Sequence, residues 1–382
     1  MIFPKKPQIL YAPMLATFGG GSANGFRASG GGFGAVQTYR IFMVGGGGGA
    51  ARRNDNTSNG WDYNGGGPGG YSELRFDMPS GVEATVIVGG GGSSLHFSNQ
   101  GGFGGGGSAS GYTSTTTNFS SASKYTSTGG GRSEVSIPDF SFIAIVGGGG
   151  GSGWGDIGGH GGGVGQEGGS GIDIYYSGGN TTLSSNNQNA GAGGTLTAGG
   201  IAGGRNGQGG QTGNAGSQYQ GGDVTGNSGP TYYGYPGGAG GGGYYGGGSG
   251  GSNDGAGGGP GGGGSGYWVY DSNITNATHP NISTPNVTIF GNSSFNPNNN
   301  LSTYGGYWGT NSVRPVPIGW SSSPYASLGT YGTGGIGYQN GSTSQADSSG
   351  MQGQVIIKNN TTNAIIANLT TAGSHTVTFP KI

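Results

Sequence analysis

Cysteine is absent from this chain, which removes disulfide bonds and thiolate metal sites from the outset. Charge is scarce: only 7% of residues are Asp, Glu, Lys or Arg, against about 25% in average proteins. The net charge of −1 leaves no basic footprint for nucleic acid, and no block of like charge is present to hold a membrane surface. Long apolar runs are missing as well. The opening MIFPKKPQILYAPMLATFGG carries two lysines, but Pro7 and Pro13 interrupt what apolarity it has. It reads as neither a signal peptide nor a membrane span. A protein of this kind working outside a cell is expected to reach its place by assembly. Proline, 16 of 382 residues, is too sparse for collagen. No amphipathic pattern persists beyond two helical turns.

What the chain has instead is glycine, 103 residues of it. In several places it recurs at every third position. Gly159, Gly162, Gly165, Gly168 and Gly171 form one series; Gly204, Gly207, Gly210, Gly213 and Gly216 form another. Gly237, Gly240, Gly243 and Gly246 repeat the spacing, as do Gly255, Gly258, Gly261 and Gly264. A period of three belongs to neither helix nor strand. It is the period of the polyproline II helix, whose backbone groups point sideways and find no partner within the helix. A bare face of glycine lets neighbouring helices pair backbone to backbone. A flexible glycine tract is the alternative reading. Ordering a lone tract costs about 1–2 kcal/mol per residue with nothing to offset it. Several adjacent tracts satisfy one another's N–H and C=O groups, and this chain has several.

Short apolar strands feed these tracts. Gln37–Val44 runs into Gly45–Gly49, Val82–Val88 into Gly89–Gly92, and Ser141–Val146 into Gly147–Gly151. This reads as one device repeated. Ser72–Met78 alternates: Leu74, Phe76 and Met78 face one way, Glu73, Arg75 and Asp77 the other. Pro79-Ser80-Gly81 is a turn. The predicted fold is all-β with polyglycine II and almost no α-helix. A small sandwich or jelly-roll-like platform carries a packed bundle of glycine helices. The expected divisions are a docking leader at 1–35, the glycine-rich domain at 36–268, an Asn/Ser/Thr-rich insert at 269–330, and C-terminal strands at 331–382.

The order strand-GGGGG, GGYSE, proline-glycine turn, VIVGGGG, GGFGGGG and IVGGGGGSG, ending in GGGGYYGGGSGG and GGGGSGYW, resembles a known glycine-rich domain. That domain occurs in phage fibre and tip adhesins and in the extracellular part of the anaplastic lymphoma and leukocyte tyrosine kinase receptors. The likeness covers residues 36–268 or so. It implies a hexagonal polyglycine II bundle beside a β-platform, with receptor-binding loops at the bundle's end. The opening ILYAPMLATFGGGSANGF and the closing GQVIIK and TVTFP are similar to virion structural proteins of marine phages. No kinase segment accompanies the domain, so receptor signalling does not carry over.

Aromatic side chains in polar inserts are the best binding candidates. Trp61 and Tyr63 lie in NGWDYNG. Tyr112 and Tyr125 lie in a Ser/Thr-rich insert, and Tyr232, Tyr233 and Tyr235 form TYYGYP. Tyr307, Trp308 and Trp320 lie in the late insert. Flat amphipathic rings among Gly, Ser and Asn make adaptable contact surfaces. Tyr244 and Tyr245, inside a glycine tract, are expected to pack between bundle and platform. Sequons cluster at Asn273, Asn276, Asn281, Asn286, Asn292 and Asn300. They would carry glycans in a secreted eukaryotic protein; Asn/Ser/Thr-rich sequence also generates them by chance.

Chemistry finds little footing. G-x-G-x-x-G matches are inevitable at this glycine content, none opens a helix, and no phosphate-binding G-x-x-x-x-G-K-[ST] is present. His96, His160, His279 and His375 are scattered without metal-ligand spacing, and His160 reads as an outward-facing spacer. Glu73, Asp77, Glu83 and Glu134 read as a solvated face. A glycosidase pair would need two carboxylates roughly 5–10 Å apart in a groove. The expectation is therefore a non-enzymatic virion protein without cofactor. It would be an adhesin-type appendage, homo-oligomeric, docked to other virion proteins through its leader and contacting host glycan or membrane protein, not nucleic acid. The alternative is a structural filament or capsid-decorating protein.

Overall fold

Alternation of apolar and polar residues builds the strands. Their order is β1 (Val36–Val44), β2 (Tyr71–Pro79), β3 (Glu83–Val88), β4 (Ala109–Ser110), β5 (Ser133–Ile137), β6 (Phe142–Val146), β7 (Ile174–Ser177), β8 (Asn180–Leu183), β9 (Val224–Thr225), β10 (Gly234–Tyr235), β11 (Asn253–Asp254), β12 (Tyr267–Val269), β13 (Thr275–Thr278), β14 (Gln354–Asn359), β15 (Ala364–Leu369) and β16 (Gly373–Thr378). The computed structural model describes residues 33–51, 65–93, 99–110, 126–153, 156–172, 174–177, 180–183, 189–204, 212–225, 234–235, 237–254, 258–278, 331–335 and 349–381.

Two antiparallel five-stranded sheets dominate, in the orders β13-β2-β1-β14-β15 and β12-β6-β5-β3-β16. The described residues contain no α-helix, only a 3-10 turn at Pro138–Phe140. In β2, Leu74, Phe76 and Met78 are buried, as the alternation predicts. They join Tyr39, Ile41 and Met43 of β1 and Val355 and Ile357 of β14 in one core. The inward residues of the other sheet, among them Val86, Val135, Phe142 and Val377, belong to the same core. Phe76 and Phe142 meet across it with ring centroids 4.9 Å apart. A smaller cluster, Phe42, Val44, Tyr71 and Ile356, lies on residues of the opposite parity in β1 and β14. The C-terminal strands complete both sheets: β14 pairs with β1, and β16 with β3.

Glu73 departs from the expected solvated face. It is buried and ion-paired with Arg40, whose guanidinium lies 4.9 Å from the Phe42 ring centroid. Strand alternation sets which face a side chain takes, but here that second face is also covered.

Beyond the strands the glycine tracts hydrogen-bond to one another in a three-residue rhythm. In the tract 147–152, Gly147 and Gly150 donate to the carbonyls of Gly162 and Gly159. Gly148 and Gly151 donate to Gly242 and Ala239, and Gly149 and Ser152 to Gly46 and Gly49. The carbonyls of Gly147 and Gly150 accept from Gly70 and Gly67, those of Gly148 and Gly151 from Gly264 and Gly261, and that of Gly149 from Gly130. These bonds run from 2.7 to 3.1 Å. Successive peptide groups thus address six different neighbouring segments in turn.

This geometry leaves no room for side chains. A Cβ on Gly147, Gly148, Gly149 or Gly150 would lie 1.9–2.2 Å from a neighbour's carbonyl oxygen. Interior tracts therefore run to glycine at nearly every position, as in GGGGG at 45–49 and 147–151, with His160, Ala239 and Ser249 the kind of exception they admit. At the periphery only one residue in three faces inward. In 212–217, Gly213 and Gly216 are the half-covered positions while Asn214 and Ala215 are exposed. In 199–204, Gly200 and Gly203 are buried and Ile201 is 75% exposed. Gly165 does not join its series. It has φ +68° and sits in the turn that reverses the chain between two tracts.

Candidate functional site

The molecule has two ends, and the chain uses them differently. Strands β1, β3 and β6 run directly into tracts 45–51, 89–93 and 147–153, so the bundle rises from one end of the sheets. At the other end, the amide of Gly34 donates to Ser80 O at 2.9 Å and that of Gly81 to Phe379 O at 3.0 Å. The Phe33 ring lies 5.2 Å from that of Phe140. Residues 33 and 379 therefore sit together at the foot of the sheets.

The polar inserts leave from the opposite extreme, and their flanking residues are bonded to one another. Insert 52–64, with Trp61 and Tyr63, is flanked by Ala51 and Gly65. Ala51 N donates to Ser152 Oγ at 2.7 Å, and Gly65 N to Asp156 O at 3.2 Å. Insert 111–125, with Tyr112 and Tyr125, returns at Thr126, whose hydroxyl donates to Gly237 O at 2.5 Å. Next to it the Ser127 hydroxyl reaches the carbonyls of Gly49 and Ser152, at 2.8 and 2.9 Å. Gly237 is itself the return point of the insert that carries Tyr232, Tyr233 and Tyr235. Insert 173–188 leaves at Ile172, which pairs with Ile157, and returns at Asn189, whose carbonyl accepts from Gly251 at 2.7 Å. Between Ser93 and Thr128 the Ser93 amide donates to the Thr128 hydroxyl at 2.7 Å.

Serine and threonine recur in this layer for a physical reason. Here the tracts end, and hydroxyls take over backbone partners that a further glycine turn would otherwise supply. Trp61, Tyr63, Tyr112, Tyr125, Tyr232 and Tyr233 themselves lie outside the described residues. Tyr235 is described only as part of β10, paired with β11. Their inserts nonetheless start and finish within one hydrogen-bonded layer.

Tyr307, Trp308 and Trp320 also lie outside the described residues. Their segment leaves at Thr278 of β13, opposite Arg75 of β2. It returns beside Gly332, whose N–H donates to Gln352 O at 2.7 Å and whose carbonyl accepts from Gly69 at 2.8 Å. Both anchors lie at the level of the sheets and their junction with the bundle. Of the sequons, Asn281, Asn286, Asn292 and Asn300 lie outside the described residues. Asn273 is exposed. Asn276, at φ +51°, commits its amide nitrogen to Asp77 Oδ2 at 2.7 Å.

His160 is a correction. Expected as an outward spacer, it is only 5% exposed. Its ring abuts Gly169, where an added Cβ would lie 2.5 Å from the imidazole Cδ2. Its tract is an interior one, and the neighbouring segment at Gly169 covers the ring; the sequence period alone does not separate interior from peripheral tracts. Nδ1 lies 3.1 Å from Gly161 O. Burial lowers the imidazole pKa, and this hydrogen bond opposes the shift.

The junction between bundle and second sheet holds an aromatic group that the sequence only half announces. Tyr244 stacks on Tyr267 of β12 with centroids 3.9 Å apart and planes 12° from parallel. Tyr245 and Tyr219 meet Tyr244 edge-on, at 4.9 and 5.8 Å. Of the two tyrosines expected between bundle and platform, Tyr244 thus contacts a platform strand, and Tyr245 packs on Tyr244. Tyr219 belongs to the turn Ser217–Gln220, at the foot of the bundle. An aromatic in a turn between two tracts was its only sequence signal.

Among the described residues no three His, Asp or Glu side chains gather as a metal site, and no helix is long and apolar enough to cross a membrane. Comparison with protein-family models, curated proteins and solved structures finds no match.

Proposed function

We propose that this protein is a non-enzymatic adhesin of the phage-fibre type, displaying polar-aromatic inserts from a polyglycine II bundle on a β-sandwich platform. The observation that carries this reading is the polarity of the chain. Inserts 52–64, 111–125, 173–188 and the one bearing Tyr232, Tyr233 and Tyr235 converge on one layer, while residues 33–35 sit at the opposite end. A rigid rod of backbone bonds holds the two apart. That is the division of labour of an attachment protein: one end docks to a particle through the leader, the other contacts a host-surface glycan or membrane protein. Rigidity lowers the ordering cost of each contact, and repeated copies in a homo-oligomer would sum weak contacts into firm attachment.

The test is binding of labelled full-length protein to intact candidate host cells. The comparison is a variant with Trp61, Tyr63, Tyr232, Tyr233 and Tyr235 changed to alanine. Saturable binding abolished by the substitutions supports the adhesin. A well-folded parent chain that binds no cell overturns it in favour of a structural filament or decoration protein.

A further inference from the structure

The aromatic group at the foot of the bundle has features that packing alone leaves unexplained. Tyr219 is 37% exposed, yet it holds a left-handed backbone with φ +65°, a conformation unfavourable for a residue with a side chain. Arg132 keeps it there. One guanidinium nitrogen donates to Tyr219 O at 3.3 Å and to Gly104 O at 3.0 Å. The guanidinium carbon lies 4.6 Å from the ring centroid. Beside it Glu134 takes the Arg132 Nε at 3.0 Å, so the charges cancel locally. The next step inward is the Tyr244–Tyr267 stack. Among the described residues no hydrogen bond reaches the phenol oxygens of Tyr219, Tyr244 or Tyr267. Burial and the nearby Glu134 both raise the Tyr219 pKa, which keeps its phenol protonated.

We propose that this aromatic step is a carbohydrate subsite, in which Tyr219 and the Tyr244–Tyr267 stack receive one pyranose ring of a neutral saccharide. A hexopyranose has an apolar C–H face and a rim of hydroxyls. The step offers its complement: fixed ring surface, phenol groups with hydrogen-bonding capacity to spare, and no net charge. A charged ligand would have to break the Arg132–Glu134 pair. The subsite lies at the opposite end of the bundle from the inserts and stands or falls independently of the adhesin reading.

Saturation-transfer NMR on the full chain with methyl glycosides of glucose, galactose, mannose and N-acetylglucosamine tests it. Sugar at about 10 mM exceeds the millimolar affinity expected of a single ring. The decisive variant is Tyr219→Gly, which removes the ring while relaxing the left-handed backbone and so favours the fold. The expected result is transfer onto the C–H protons of at least one glycoside, reduced at least fivefold in Tyr219→Gly and retained in the five-site alanine variant of the inserts. No transfer from any glycoside, or equal transfer in Tyr219→Gly, overturns the proposal. Loss in the insert variant with retention in Tyr219→Gly also overturns it, and leaves the adhesin reading intact.

Discussion

Replacing Gly148 by alanine adds one methyl group to the most crowded part of the bundle. The new Cβ would lie 2.2 Å from Gly130 O and 2.5 Å from its carbonyl carbon. Backbone, not a flexible side chain, is what it meets, so a tract has to move. Overpacking a rigid interior costs about 1–3 kcal/mol. The shift also stretches the bonds from Gly148 N to Gly242 O and from Gly264 N to Gly148 O. Each of these two buried bonds that is lost adds about 1–3 kcal/mol. The sum, about 3–9 kcal/mol, is comparable with the entire stability of a typical domain, about 5–15 kcal/mol. Peripheral positions grade the effect. Gly213→Ala places a Cβ 2.4 Å from Ser249 O, but its tract has solvent on two sides and can yield. Ala215→Val projects outward and should stay within about 0.5 kcal/mol of the parent. Guanidinium unfolding followed by tryptophan fluorescence measures all three. The expected order is Gly148→Ala far below Gly213→Ala, and Gly213→Ala below Ala215→Val. Equal tolerance at 148 and 215 would refute the reasoning that backbone contact excludes side chains from the interior.

His160 should make stability depend on pH. Its folded pKa is lowered from 6.5 by burial, so below pH 6.5 the unfolded chain binds more protons than the folded one and stability falls with pH. His160→Gln should flatten the part of the slope between pH 7 and pH 5.5; an unchanged slope in unfolding free energy would show that another group is responsible. In the core, Phe76→Ala should cost about 3–5 kcal/mol. A double-mutant cycle with Phe142 should give a coupling of about 0.5–1.5 kcal/mol in the same assay, and zero coupling would contradict the contact across the two sheets.

By itself the sequence determined the local rules. Alternation in Ser72–Met78 assigned Leu74, Phe76 and Met78 to a core, because a strand's side chains must alternate. The handover from apolar residues to glycine after Val44, Val88 and Val146 marked where pairing through a pleated face gives way to pairing between bare backbones. The period of three marked segments that pair backbone to backbone, though not which of them are interior; in the peripheral tract 212–217 only Gly213 and Gly216 are half-covered. Tertiary structure alone decided what depends on who the neighbours are. Glu73 was legible as the polar side of a strand, yet it is buried against Arg40. His160 was legible as a non-glycine in a glycine tract, but its burial follows from tracts distant in sequence that surround it. Tyr219 and Tyr244 sit 25 residues apart and meet only because two turns fold to the same end. The common origin of the inserts was likewise hidden. Each leaves a tract of similar composition, and only the bonds joining Ala51, Thr126, Ser152 and Gly237 place them in one layer. Glycine specifies that tracts can touch; the order in which they touch is set by the strands that feed them.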